Sequence, residues 1–200
     1  MISLIEEYGL KEVLDNRYKE IKKLYKSDKL PWVIGYSGGK DSTATLQLII
    51  NALSELPNEE LNKKVFVVSS DTLVENPLIL QYLEKNIKLI NEYGKENNLP
   101  IEAHILQPEV EESFWTLMIG KGYPTPRQKF RWCTDRLKIK PIDKFIKSKI
   151  DKYGKAIVIL GTRRDESASR AKVMEEHSID GKLLKRHTSL NNAYVYSPIE

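Results

Sequence analysis

With 200 residues and 23.1 kDa, 40% of them hydrophobic and 30% charged, the chain suits one folded domain with a sizeable core and is not a disordered segment. Its 32 basic and 28 acidic side chains leave a net charge of +4, too small to name nucleic acid as a partner from the total alone. The single cysteine, Cys133, excludes an internal disulfide framework and cannot by itself make a zinc or iron–sulfur site, and no apolar run has membrane-spanning length.

Ile2, Ile5, Leu10, Val13, Leu14, Ile21 and Leu24 recur at three- and four-residue steps, which predicts an amphipathic helical segment over residues 1–30. Glu6, Glu7, Lys11 and Glu12 interrupt what a secretion signal would need as its apolar stretch, so the expected location is the cytoplasm, with no membrane partner. Residues 31–200 read as a second region. Trp32 to Tyr36 is a short apolar run followed by a Gly-rich turn and an apolar-periodic helix containing Leu46, Ile49 and Leu53. Val65 to Val68 predicts a second strand, Asn76-Pro77 the start of a helix running to about Asn97, and Ile101 to Leu106 a third strand. A helical stretch near Ser113 to Met118, a loop from Gly120 to Pro126 and a helix after Pro141 follow. Ala156 to Leu160 is the fourth and cleanest strand, and a helix is expected from Asp165 to Glu176. Almost wholly apolar strands alternating with helices argue an α/β fold, a mostly parallel sheet with helices on both faces. In such sheets ligands bind beyond the carboxyl ends of the strands.

Strand one ends in Ser37-Gly38-Gly39-Lys40-Asp41-Ser42. Two glycines let the backbone turn sharply and gather N–H groups at a helix N-terminus, an anion nest to which Lys40 adds a full charge and Ser37, Ser42 and Thr43 add hydroxyls. A Walker A loop is excluded by spacing, since Ile34 stands where its first glycine belongs and Asp41 where Ser or Thr would hold magnesium. Asp41 and Asp71 are carboxylates available to Mg2+, or equally a helix-capping residue and a strand end. His104, His177 and His187 have no metal-ligand spacing. Residues 120–152 hold eleven basic side chains against three acidic, a net +8 that leaves the remainder at −4. Within this stretch Arg127, Lys129, Arg131, Arg136 and Lys138, with Tyr123, Phe130 and Trp132 interleaved, are the candidate DNA contacts; a solvated face is the plain alternative.

The SGGKDS turn after a first strand resembles the PP-loop of the ATP pyrophosphatases, which cleave ATP to AMP and pyrophosphate. Asp71-Thr72-Leu73-Val74-Glu75-Asn76-Pro77, the block from Arg131 to Pro141 containing Trp132-Cys133-Thr134, and the block from Gly161 to Arg170 resemble the phosphoadenosine phosphosulfate (PAPS) reductase-like branch. Within it, the wording from Gly161 to Ala171 and the Tyr123-Pro124-Thr125-Pro126 loop are most similar to the DndC sulfurtransferases of DNA phosphorothioation. The resemblance implies ATP and Mg2+ as cofactors, with ATP held by Ser37, Gly38, Gly39, Lys40, Asp41, Ser42, Asp71, Thr72, Gly161, Arg163, Glu166 and Arg170. It also implies Lys40, Asp41, Cys133 and Arg163 as catalytic residues, DNA as substrate, and a cysteine desulfurase with other Dnd components as partners. Arg163 and Arg170 can clamp phosphates, and Glu166 can orient Arg163 or bind metal. For Cys133 three readings stay open: a core residue, an acceptor of persulfide sulfur favoured as thiolate by Arg131 and Arg136, or one ligand of an iron–sulfur cluster whose other ligands lie outside this chain. The last residues, Tyr196 to Glu200, resemble a segment that in the family runs on into a C-terminal region, so a truncated domain is expected. Two rival functions remain: a reductase of adenylyl sulfate or its 3′-phosphorylated form, which needs a cysteine near the C-terminus, and a non-catalytic nucleotide- or DNA-binding subunit.

Overall fold

The computed structural model describes residues 7–128, 130–163, 172, 175 and 183–200. In chain order these form helix α1 (Leu10–Lys26), strand β1 (Trp32–Gly35), helix α2 (Lys40–Ser54), strand β2 (Val65–Ser70), helix α3 (Pro77–Glu96) and strand β3 (Ile101–Leu106). They continue with helix α4 (Lys140–Tyr153), strand β4 (Ala156–Ile159), strand β5 (Lys185–Arg186) and strand β6 (Ala193–Tyr196). The sheet order is β3-β2-β1-β4-β6-β5, parallel throughout except for the antiparallel β5–β6 pair. This is the mostly parallel α/β architecture expected from the sequence.

Side chains alternate across the sheet and bury on both faces. Trp32, Ile34, Val65, Val67, Ile101, Ala103, Ile157 and Ile159 form one face and pack with α1, α2 and α3. Val33, Phe66, Val68, Ala156 and Val158 form the other, covered by Ile146 of α4. Double-sided burial is why these strands read as continuous apolar runs. Ile21, Leu24 and Tyr25 of α1 belong to the first of these cores. Local signals set the ends of the helices. The Asn76 side chain accepts a hydrogen bond from the Leu78 amide at 2.9 Å with Pro77 behind it, and Gly154, at φ +82°, closes α4.

The structure departs from the sequence reading at the edge of the sheet. Strands β5 and β6 extend the sheet where none is expected: Tyr194 and Val195 are only half-buried, so Ala193 to Tyr196 offers too short an apolar signal. The helical stretch expected near Ser113 to Met118 is present, helical at 114 and 115 and continuing as a five-residue π-type turn, Thr116–Gly120, and a second such turn, Asp135–Ile139, leads straight into α4. The expected helix from Asp165 to Glu176 lies outside the described residues except for helical Lys172 and Glu175. No described helix is long and apolar enough to cross a membrane.

Candidate nucleotide site

After β1 the chain builds β2 and β3 on one side, then returns to lay β4 against the other flank of β1. The carboxyl ends of β1 and β4 therefore bound the switch point where open α/β sheets bind ligands. A cavity of about 580 Å3 opens there. Ser37, Gly39, Lys40, Asp41 and Ser42 line it from the first turn, Ser70, Asp71 and Glu75 from the end of β2, and Gly161 and Thr162 from the end of β4. Ile79, Tyr82 and Leu83 of α3 form an apolar wall, and Lys138 faces in from the second π-type turn.

The turn is braced by its own hydroxyls. Gly38 takes φ +73°, the left-handed region that glycine enters without cost. The Ser37 amide donates to Ser42 Oγ at 3.2 Å, Ser42 Oγ donates to the Gly39 carbonyl at 3.0 Å, and the Ser37 and Ser42 hydroxyls lie 3.1 Å apart. Ser42 thus fixes the shape of the turn, while Lys40 is exposed and free to meet a ligand's charge. Thr43, expected among the hydroxyl donors, does not line the cavity.

Asp71 is buried, with Oδ1 accepting from the Leu73 amide at 2.8 Å and Oδ2 from Gln107 Nε2 at 2.9 Å. These bonds hold its carboxylate at the cavity edge and pull Leu73 to φ +63°. Thr72 is buried and absent from the lining; its hydroxyl donates to Glu75 Oε1 at 3.2 Å, so it positions Glu75. Glu75 in turn pairs with Lys138 at 3.0 Å. On the other side Arg163 Nε lies 3.6 Å from Asp41 Oδ1. Glu166 and Arg170 lie outside the described residues.

Residues 31–185 match the model of the phosphoadenosine phosphosulfate reductase domain. The chain belongs to this family. An uncharacterized protein of Methanocaldococcus jannaschii is 31% identical over 163 residues, which cover 80% of this chain and 29% of that protein. Among solved structures, the U34-tRNA thiolase NcsA from Methanococcus maripaludis, with its [4Fe-4S] cluster, matches with a TM-score of 0.53 at 16% identity over 96% of this chain and 61% of that one. The PAPS reductase of Candida auris matches with a TM-score of 0.48 at 15% identity over 99% of this chain and 81% of that one. The chain thus spans under a third of the M. jannaschii relative and about three-fifths of NcsA. The family match makes this a PAPS reductase-family domain, and the likeness to NcsA is one of fold.

Cys133 of the domain sits half-buried in the short helix Trp132–Thr134 and is not among the residues lining the cavity. Among the described residues no group of three or more His, Cys, Asp or Glu side chains is placed to hold a metal ion. A cluster needs about four thiolates, so one cysteine does not fit an iron–sulfur centre held by this chain.

The basic stretch is folded differently from a uniform cationic face. Trp132 is buried, its indole N–H donating to the Pro124 carbonyl at 2.8 Å, so it is unavailable for contact. Arg136 pairs with Glu112 at 3.1 Å, Lys140 reaches the same carboxylate at 3.2 Å, and Lys144 pairs with Glu109. Burial pushes the Glu112 carboxyl up, but the hydrogen bond and charge of Lys140 and the charge of Arg136 outweigh it and hold it below its ordinary range. Arg136 is therefore spent inside the fold and Lys138 at the cavity. Of the candidate DNA contacts, Arg127 and Arg131 stay exposed and form no ion pair among the described residues, and Lys129 lies outside them. Glu75, Lys138 and Tyr82 are cavity residues that sequence reasoning either missed or gave another role. Only the wording of the Asp71 to Pro77 block hinted at Glu75.

Proposed function

We propose that the domain cleaves ATP between its α and β phosphates, and that the AMP unit so transferred activates an oxygen for replacement by sulfur on the phosphodiester backbone of DNA. The acceptor oxygen attacks the α phosphorus and pyrophosphate leaves; a sulfur nucleophile then displaces AMP. The observation that carries this reading is the braced Ser37 to Ser42 turn with exposed Lys40 at the mouth of the switch-point cavity. Backbone N–H groups at the start of α2 and the Lys40 ammonium match the charge developing on a departing pyrophosphate. Asp41 and Asp71 fit Mg2+, which takes few protein carboxylates and completes its shell with water and substrate phosphates. Those residues would hold the ion, which when bound offsets phosphate charge. Arg163 beside Asp41 is the further cation at the site.

The backbone of DNA as acceptor is supported by exposed Arg127 and Arg131, and by the likeness of the Gly161 to Ala171 wording to the phosphorothioation sulfurtransferases. A cysteine desulfurase and the other components of that system are the partners this reading requires, since the sulfur must arrive from outside the cavity.

The test is product analysis of α-labelled ATP with Mg2+, with and without DNA, and with Lys40→Ala as control. AMP and pyrophosphate formed by the wild-type chain, and lost about 100-fold or more in the variant, are expected. Binding of ATP without turnover would favour a nucleotide-binding subunit, and sulfite release from an adenylyl sulfate would favour a reductase.

A further inference from the structure

Four aromatic rings run in a row through the segment between β3 and α4. Trp115 meets Phe114 edge-on at 5.1 Å and 88°, Phe114 stacks on Trp132 at 5.5 Å and 23°, and Trp132 meets Tyr123 edge-on at 5.4 Å and 84°. The inner members are anchored by the Trp132 bond to Pro124 and by Arg136, which reaches the Tyr123 hydroxyl at 3.5 Å. The turn that carries the outer member is pinned by Leu117, fully buried, whose carbonyl accepts from the Tyr123 amide at 3.0 Å. Yet Trp115 is 59% exposed, and Phe130 is 50% exposed. An indole this large, held from behind and open in front, is a rigid apolar plane presented to solvent.

Charge decides what such a plane fits. The adjoining run Lys121 to Arg131 contains Lys121, Arg127, Lys129 and Arg131 and no acidic residue. Of the nearby carboxylates, Glu109 and Glu112 are neutralised by Lys144 and by Arg136 and Lys140, and Asp135 lies 3.8 Å from Arg136 Nε, which leaves Glu111. An aromatic plane beside a cationic strip is the chemistry of single-stranded nucleic acid binding: a base stacks on the ring while its phosphates meet guanidinium groups. The segment is also joined to the cavity, because Trp132 begins the helical run that delivers Lys138 to its lining.

We propose that Trp115, backed by Phe114, which itself stacks on Trp132, is a stacking platform for an unpaired base of a DNA strand, with Arg127 and Arg131 on its phosphates. This rests on the reading of the DNA backbone as acceptor. It adds that the target is engaged single-stranded or with a base drawn out of the duplex, which would let a backbone phosphate approach the cavity.

The test is fluorescence-anisotropy titration of the full 200-residue chain with a single-stranded DNA, the RNA of the same sequence, and the corresponding DNA duplex. Trp115→Ala should weaken single-strand binding about tenfold with an unchanged salt slope, and Trp115→Phe should recover most of it. Arg127→Gln and Arg131→Gln should each lower the slope of log K against log salt by about one. The DNA strand is expected to bind at least as tightly as the RNA, and tighter binding of the RNA would overturn DNA as the occupant. Single-strand affinity unchanged in Trp115→Ala, or a wild-type preference for duplex over both single strands, would overturn the proposal and leave the patch to a protein partner. The ATP product assay on the wild-type chain is independent. Turnover with a Trp115-indifferent strand sinks the platform alone, and a Trp115-dependent strand without turnover sinks the activity alone.

Discussion

Gly161 approaches the start of α2 so closely that a Cβ on it would lie 2.7 Å from the Asp41 carbonyl oxygen and 2.9 Å from Thr45 Oγ1. The end of β4 and the first turn of α2 are thus in backbone contact, and this contact sets the width of the cavity between them. Since the nearest obstructing group, the Asp41 carbonyl, is backbone, Gly161→Ala must displace α2 or the strand end even if the Thr45 side chain gives way. We expect a loss of about 1–3 kcal/mol in urea unfolding, with ATP affinity falling further than stability alone explains. Wild-type affinity measured by calorimetry would show that the cavity does not depend on this approach.

Glu75 and Lys138 meet at 3.0 Å and both line the cavity, so an anionic nucleotide would compete with Glu75 for the ammonium. As the lysine side chain is about half exposed, the pair itself contributes little to stability. The two partners should therefore differ in binding. Lys138→Ala is expected to weaken ATP binding by about fivefold, while Glu75→Gln, which removes a negative charge from a phosphate site, should leave it equal or tighter. Equal weakening by both changes would mean that the pair acts only by shaping the wall.

Much of this was legible in the chain. β3 falls at Ile101–Leu106, the bounds expected for it, and α3 starts at Pro77 because Asn76-Pro77 is a local signal that does not depend on tertiary context. The Ser37 to Ser42 turn was also visible, because Gly38 and Gly39 mark a backbone need that few other sequences meet. What stayed hidden depends on long-range pairing. Ala193 to Tyr196 becomes a strand only because β4 offers it an edge, and Thr72 looks like a ligand residue until its hydroxyl is seen on Glu75. The charge of Arg136 is canceled by Glu112, 24 positions earlier, which no count along the basic stretch can register.

Lys63 shows the same long-range logic away from the site. Its side chain is fully buried, with Nζ 2.7 Å from Asp28 Oδ1 and 5.0 and 5.4 Å from the ring centroids of Tyr25 and Trp32. Burial lowers its pKa despite the hydrogen bond and charge of Asp28. Asp28 keeps partial exposure and the Leu30 amide at 2.8 Å, so it tolerates losing its partner, whereas the lysine does not. Asp28→Ala should cost about 3 kcal/mol in urea unfolding, while Lys63→Met should cost under about 1 kcal/mol or stabilise. The reverse order would show that the ammonium is solvated.

The alkaline limit of stability should be set in part by Tyr196. This buried phenol at the end of β6 donates to Glu20 of α1, and burial first, then the bond to and charge of Glu20, hold its pKa above the ordinary 10.0. In the unfolded chain the phenol loses its proton as pH passes 10, while the folded protein keeps it, so the unfolded state binds fewer protons and stability falls with rising pH. The contribution is complete below pH 10 and is lost at up to about 1.4 kcal/mol per pH unit above it. Lys63 acts in the opposite sense, since its lowered pKa makes the unfolded state bind more protons as pH approaches 10.5. Comparison with Tyr196→Phe cancels that term. The variant should be about 1 kcal/mol less stable at pH 8 and should close the gap by pH 11, because it has no proton to lose. Parallel wild-type and variant curves from pH 8 to 11 would place the phenol in contact with water.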